Sequence, residues 1–155
     1  MSENNQLTPI NQSVLSDSGF SGFERYLEGF GLPVDNVIAS HDERIRIMQA
    51  LPDFLNNLHP ELKKDARYLS KFIAGSAVGL FDASLNFVWN EVVLSLRKKV
   101  VSYGLDYFFD SAIGGTLRDQ FNDEDDLPSV KDQVLLDTCK KLELISDLLH
   151  RKLCH

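Results

Sequence analysis

From Pro60 to Tyr103 the chain carries no further proline, and Leu62, Ala66, Leu69, Ile73, Ala77, Leu80, Ser84, Phe87, Val88, Val92, Leu96 and Val100 recur at intervals of three and four. That period returns side chains to one face of an α-helix and to no single face of a strand. Pro60 suits a first helical turn, Glu61 suits the positive end of the helix dipole, and Gly104 supplies a stop. The pattern predicts one helix of about 43 residues, spanning roughly 65 Å unless it kinks. Between Phe72 and Leu96 the residues Val78, Phe81, Leu85, Trp89, Val93 and Leu94 carry apolar surface around the other faces. Its middle is therefore expected to be covered on most sides. The fold class that follows is all-α, a helical bundle around one long central helix at about 60–103.

The flanking segments fit that frame. Residues 1–18 are rich in Ser, Asn and Gln and read as a flexible lead-in, leaving 19–155 as a single helical domain. Phe20, Phe23, Tyr26, Leu27 and Phe30 form an aromatic helix face that ends at Gly29, Gly31 and Pro33. So short a helix gains little stability alone, and its aromatics are expected to dock on the main body. Ser40 to Glu43 has the form of a capping box, opening a helix with Ile45, Met48 and Leu51 that Pro52 interrupts or kinks. Beyond Gly104 come an aromatic cluster (Leu105, Tyr107, Phe108, Phe109), a Gly114-Gly115 turn and an acidic loop from Asn122 to Asp126. Ser129, with Asp132 at capping-box distance, is expected to open a last helix with the face Val134, Leu135, Cys139, Leu142, Ile145, Leu148, Leu149 and Leu153. Its periodicity still runs at His155 without a stop signal, which predicts a longer native protein.

A chain of 155 residues with 43% apolar and 25% charged residues has ordinary globular composition. A net charge of −7 works against a broad phosphate-binding surface, although a local basic patch would still serve. Lys63-Lys64, Arg97-Lys98-Lys99 and Lys140-Lys141 are separated by acids and read as solvated helix faces, the run at Arg97 complementing the helix dipole. Cys139 and Cys154 would lie roughly 22 Å apart on one straight helix, beyond disulfide reach, so two reduced thiols are expected. The start lacks a signal-peptide pattern, and Asp82, Asn86, Asn90 and Glu91 break the most apolar stretch. A cytoplasmic protein with no membrane partner is expected.

Gly75, Gly79 and Ala83 recur every four residues and would let another helix approach closely. With Trp89 they are candidates for a homodimer seam or for contact with a helical protein partner; the alternative is close packing inside one chain. Asp82, Asn86 and Asn90 follow a second four-residue path and either line a polar pocket or mark a solvated edge. His150 and Cys154 share a helix face, as do Arg151 and His155, but two donors fall short of a zinc site. His41 and His59 sit at helix boundaries. No phosphate loop or acid–base constellation is recognisable, so no cofactor, metal or catalytic residue is assigned.

The long helix followed by LLDTCKKLELISDLLHRKLCH resembles, over about residues 60–155, the HEPN superfamily of helical bacterial proteins. The resemblance implies the scaffold or dimerisation part of an RNA-cleaving phage-defence or toxin protein. That family's motif is an Arg, often followed by Asn, with four to six residues between the Arg and a His. Arg151 and His155 have three residues between them and Lys152 stands where the Asn would, so they are not assigned as catalytic. The implied metal-independent ribonuclease, and RNA as a partner, would then belong to the longer protein. The alternative is a helical adaptor or assembly module with no enzymatic activity.

Overall fold

The computed structural model describes residues 17–154. The described residues form an all-α chain without strands: α1 (Asp17–Gly29), α2 (His41–Asn57), α3 (Pro60–Asp65), α4 (Arg67–Val78), α5 (Phe81–Tyr103), α6 (Leu105–Ala112), α7 (Asp132–Lys141) and α8 (Asp147–Leu153). Two 3-10 segments, Gly115–Gln120 and Glu124–Ser129, lie between α6 and α7. The expected lead-in at residues 1–16 falls outside the described residues, while Asp17 and Ser18 already belong to α1. The chain divides into two compact units at Glu91/Val92, within α5. No helix among the described residues is long and apolar enough to cross a membrane.

The single helix expected at 60–103 is three helices. At Gly79 the backbone turns left-handed, φ +86°, and the last turn of α4 closes with Gly79 N–H on Ser76 O and Leu80 N–H on Gly75 O. This double closure is the usual helix stop built on a glycine. At Ala66 the break has a tertiary cause. Ala66 offers no side-chain cap, and the carboxylate of Glu91 on α5 accepts the Tyr68 backbone N–H at 3.1 Å. An acid placed on the first turn of α4 also meets the positive end of its dipole.

In the first unit α2 packs on α4. Met48 and Leu51 are buried, with Ile45, Ile47, Leu55, Phe72, Ile73 and Ala77 packed around them. Ser40 closes its capping box as expected: its hydroxyl accepts from Glu43 N–H and the Glu43 carboxylate accepts from Ser40 N–H at 3.0 Å. The Ser40 hydroxyl also donates to that carboxylate at 2.7 Å, and this bond first, then the one from the Ser40 backbone, holds the Glu43 carboxyl below its ordinary range. The helix continues through Pro52, which removes the backbone donor at that position and leaves the bond to the Met48 carbonyl unmade.

The expected docking of the N-terminal aromatics is met at one position only. Of the α1 aromatics only Phe20 docks, beneath the buried Arg44 guanidinium at 4.2 Å from its ring centre. Phe23, Tyr26 and Phe30 are 47%, 62% and 68% exposed. On α5, Leu85 is 65% exposed and Val88 is also open, while Phe81, Trp89 and Leu94 are half-buried and Val93 is buried.

The second unit buries Val93, Leu96 and Val100 of α5, Phe108 and Phe109 of α6, and Leu135, Leu136 and Cys139 of α7. α7 packs against both α6 and α8. The basic run of α5 makes tertiary contacts here: Lys99 donates to Leu144 O at 2.6 Å, and Arg97 lies 3.8 Å from Asp132. Arg118 grips the Asp110 and Asp106 carboxylates of α6, donates to Phe121 O, and faces the Phe109 ring. Ser129 does not cap α7. It ends a 3-10 segment, while Lys131 occupies the cap without a side-chain bond. The acidic loop caps itself instead: Asp123 accepts from Asp125 N–H, and Asp126 accepts from Asn122 N–H at 2.7 Å.

The expected last helix breaks after Lys141. Glu143 is left-handed at φ 57° and forms the same double closure as Gly79, with Glu143 N–H on Lys140 O and Leu144 N–H on Cys139 O. A side chain in that conformation costs about 1–2 kcal/mol that glycine avoids. Glu143→Gly is therefore expected to stabilise the chain by about 0.5–1 kcal/mol after the glycine's greater unfolded-state entropy is subtracted. A raised urea midpoint with unchanged slope is the expected reading.

Candidate functional site

The small-residue stripe does not lie on one helix. Gly75 is in α4, Gly79 is the stop between α4 and α5, and Ala83 is in α5. Each position has its own neighbours. A Cβ on Gly75 would sit 2.5 Å from Ser84 Oγ; one on Gly79 would sit 2.9 Å from both Ala39 N and Ile38 Cγ2. The close approach at Gly75 and Gly79 is thus to residues of the same chain, and Gly79 O accepts from Ala39 N–H at 2.9 Å. Ala83 is exposed, and Trp89 is half-buried on the same helix.

Around this joint lies a cavity of ≈ 540 Å³ lined by residues 36–40, Glu43 and residues 79–83. Asp82 lines it; Asn86 and Asn90 do not. All three are exposed, and Asn86 donates to the Asp82 backbone carbonyl at 3.1 Å. The four-residue path is therefore an exposed edge of α5 whose first residue reaches this cavity. Ser40 and Glu43, which also line it, are engaged with each other in the α2 capping box. The convergent polar groups that mark a built ligand pocket are thus spent on the helix end.

A group of chemically active side chains comes together in the second unit. The turn at 142–146 folds α8 back along α7, so residues far apart in sequence meet. His150 Nε2 lies 2.7 Å from Asp137 Oδ1 and 3.7 Å from Cys154 Sγ. Gln133 Nε2 donates to both Asp137 oxygens at 3.1 Å and approaches Cys154 Sγ at 3.9 Å. Hydrogen bonds from Gln133 and then His150 hold the Asp137 carboxyl below its ordinary range. A depressed folded-state pKa means its contribution to stability is complete above the ordinary carboxylate range and is lost as pH falls through the lowered value.

Helical spacing pairs His150 with Cys154 on one face but gives no hint of Asp137 and Gln133. Both stand on α7, across a turn that no Gly or Pro marks. The arrangement is not a nucleophile relay. In such a relay the carboxylate and the nucleophile use opposite ring nitrogens, whereas here Asp137 and Cys154 share Nε2. Among the described residues no group of three or more His, Cys, Asp or Glu is arranged to hold a metal ion. Both cysteines are free thiols, Cys139 buried and Cys154 exposed. The straight-helix separation expected for them does not apply, because the helix is broken between them. Burial pushes the Cys139 thiol up to about 11. Arg151 is exposed on α8; His155 falls outside the described residues.

No protein-family model, curated protein or solved structure matches the chain.

Proposed function

We propose that this chain is a helical assembly module, without enzymatic activity of its own, that pairs with a second copy of itself through the aromatic stripe of α1. The observation that carries the reading is the exposure of Phe23 and Tyr26 on α1, a helix anchored by Phe20, and of Phe30 just past its end. A contiguous exposed apolar stripe is the usual mark of an interaction surface. Tyr26 and Phe30 already stack edge-to-face, ring centres 5.0 Å apart, so little side-chain freedom remains to be lost on binding. The same helix carries Arg25 between Glu24 and Glu28. An antiparallel copy would bring each arginine opposite an acid, which favours self-pairing over a partner of one charge sign.

In its more specific form the module is the dimerisation scaffold of a HEPN-like RNA-cleaving defence or toxin protein. The support for that form is the sequence resemblance over residues 60–155, and it assigns no cleavage to the residues present. Light scattering across a concentration series, with an RNA-cleavage assay on the same samples, tests both forms. The proposal expects a concentration-dependent dimer and intact RNA. A monomer at every concentration would remove the self-pairing module, and RNA cleavage by this chain would remove the non-enzymatic reading.

A further inference from the structure

Arg44 is 2% exposed on α2, yet a guanidinium keeps its charge at neutral pH, so the fold must give that charge partners. One is the Ala39 carbonyl, which accepts from Arg44 Nη1 at 3.2 Å. Another is the Phe20 ring, whose centre lies 4.2 Å from the guanidinium carbon. A ring face carries negative potential and attracts a cation, most strongly where water is excluded. The other side of this socket is fixed. Ala39 N–H is bonded to Gly79 O, and Arg44 Cδ runs 3.1 Å from where a Cβ on Gly79 would stand. Arg44 thus keeps its place through the α4–α5 joint, whereas α1 reaches it through Phe20. Elsewhere on α1 the space is open beside Gly22 and Gly29, where an added Cβ would meet no atom within 4 Å.

We propose, building on the self-pairing reading, that Arg44 is the positioning residue of the pairing surface: α1 presents its aromatics to a second copy only while Phe20 is seated on the guanidinium. The two states are α1 docked and α1 released. At 13 residues α1 is about as long as isolated helices that are marginal in water, so release unwinds it. The edge-to-face pair of Tyr26 and Phe30 then loses its fixed spacing, and pairing has to supply that order as well as the contacts. Apparent affinity falls with the docked fraction, once for each copy. Arg44 is buried on α2, so it controls pairing without touching the second copy.

Hydrogen exchange of the α1 amides in the dilute full chain reads docking, and sedimentation equilibrium reads pairing. Phe20→Leu keeps an apolar side chain but removes the ring face, which leaves the buried Arg44 itself unaltered. Phe20→Trp keeps a ring face and is the rescue. Phe20→Leu is expected to speed α1 exchange and to raise the dimer Kd, each by about three- to tenfold, with α2 and α7 amides unchanged. Phe20→Trp is expected to stay within about twofold of the parent in both measurements. Pairing in Phe20→Leu as tight as in the parent would overturn the proposal. So would weaker pairing with α1 exchange unchanged, which would make Phe20 a direct contact of the second copy, or a Phe20→Trp variant as weak as Phe20→Leu. A parent chain that stays monomeric would instead remove the self-pairing reading, and the control by Arg44 with it.

Discussion

Gly79→Ala is expected to lower the stability of the chain by about 2–4 kcal/mol, a large share of what a domain of this size possesses. Two costs add. The native φ of +86° lies where an L side chain is disfavoured by about 1–2 kcal/mol. The new Cβ would also press on Ala39 N and Ile38 Cγ2 at 2.9 Å and on Arg44 Cδ at 3.1 Å. The first two contacts leave little room to give, because Ala39 N–H is bonded to Gly79 O and Arg44 Nη1 donates to Ala39 O at 3.2 Å. Relief of the clash would break the link between the α4–α5 joint and the start of α2. Gly114→Ala is the control: no atom lies within 4 Å of a Cβ there and its φ is −108°. Urea unfolding should show a large drop in midpoint for the first variant and almost none for the second. Equal, small effects would mean that residue 79 is an ordinary helical position and that α4 and α5 are one helix.

Phe109→Ala is expected to cost about 3–5 kcal/mol, as large-to-small changes at fully buried aromatics do. Phe109 is 0% exposed and meets Phe108 and Phe121 with ring centres 5.7 and 5.5 Å away. It also lies under the Arg118 guanidinium, which ties the first 3-10 segment to α6 through Asp106 and Asp110. Truncation would leave a void and remove the surface on which Arg118 rests. Tyr107, two residues earlier on the same helix, is exposed, and its replacement by alanine should change stability by no more than about 0.5 kcal/mol. Thermal unfolding of the pair separates burial from aromatic content.

The all-α class is legible in the sequence because three-and-four spacing gathers apolar residues on one face of a helix and scatters them on a strand. Local punctuation is legible wherever one residue decides it. Pro60 begins α3, Gly104 follows α5, Ser40 and Glu43 close their box, and Gly31 turns the chain after α1. The breaks inside 60–103 are hidden. The two-residue link at Gly79-Leu80 keeps the apolar phase nearly intact, so periodicity runs across it. The available signal is Gly79 itself, a stop glycine that its spacing from Gly75 and Ala83 disguises as a packing glycine. At Ala66 no local signal exists, since the helix start is set by Glu91, far along the chain. Glu143 hides a stop for a similar reason: it adopts a glycine's conformation without being one. The sulfur cluster depends on that hidden stop, because only the fold-back of α8 brings His150 and Cys154 to Asp137 and Gln133. Spacing also finds the apolar residues of α1 and α5, but which of them are covered depends on packing partners that periodicity does not report.

The proposed self-association rests on the aromatics of α1 and its end, whereas the close approach at Gly75 and Gly79 is to residues of the same chain. Sedimentation velocity on two variants compares these directly: Tyr26→Ser with Phe30→Ser together, and Ala83→Leu alone, all at exposed positions where the fold should survive. The dimer should be lost in the α1 variant and kept in Ala83→Leu. A dimer that survives the α1 changes but dissociates in Ala83→Leu would contradict that assignment and return the seam to the surface between two chains.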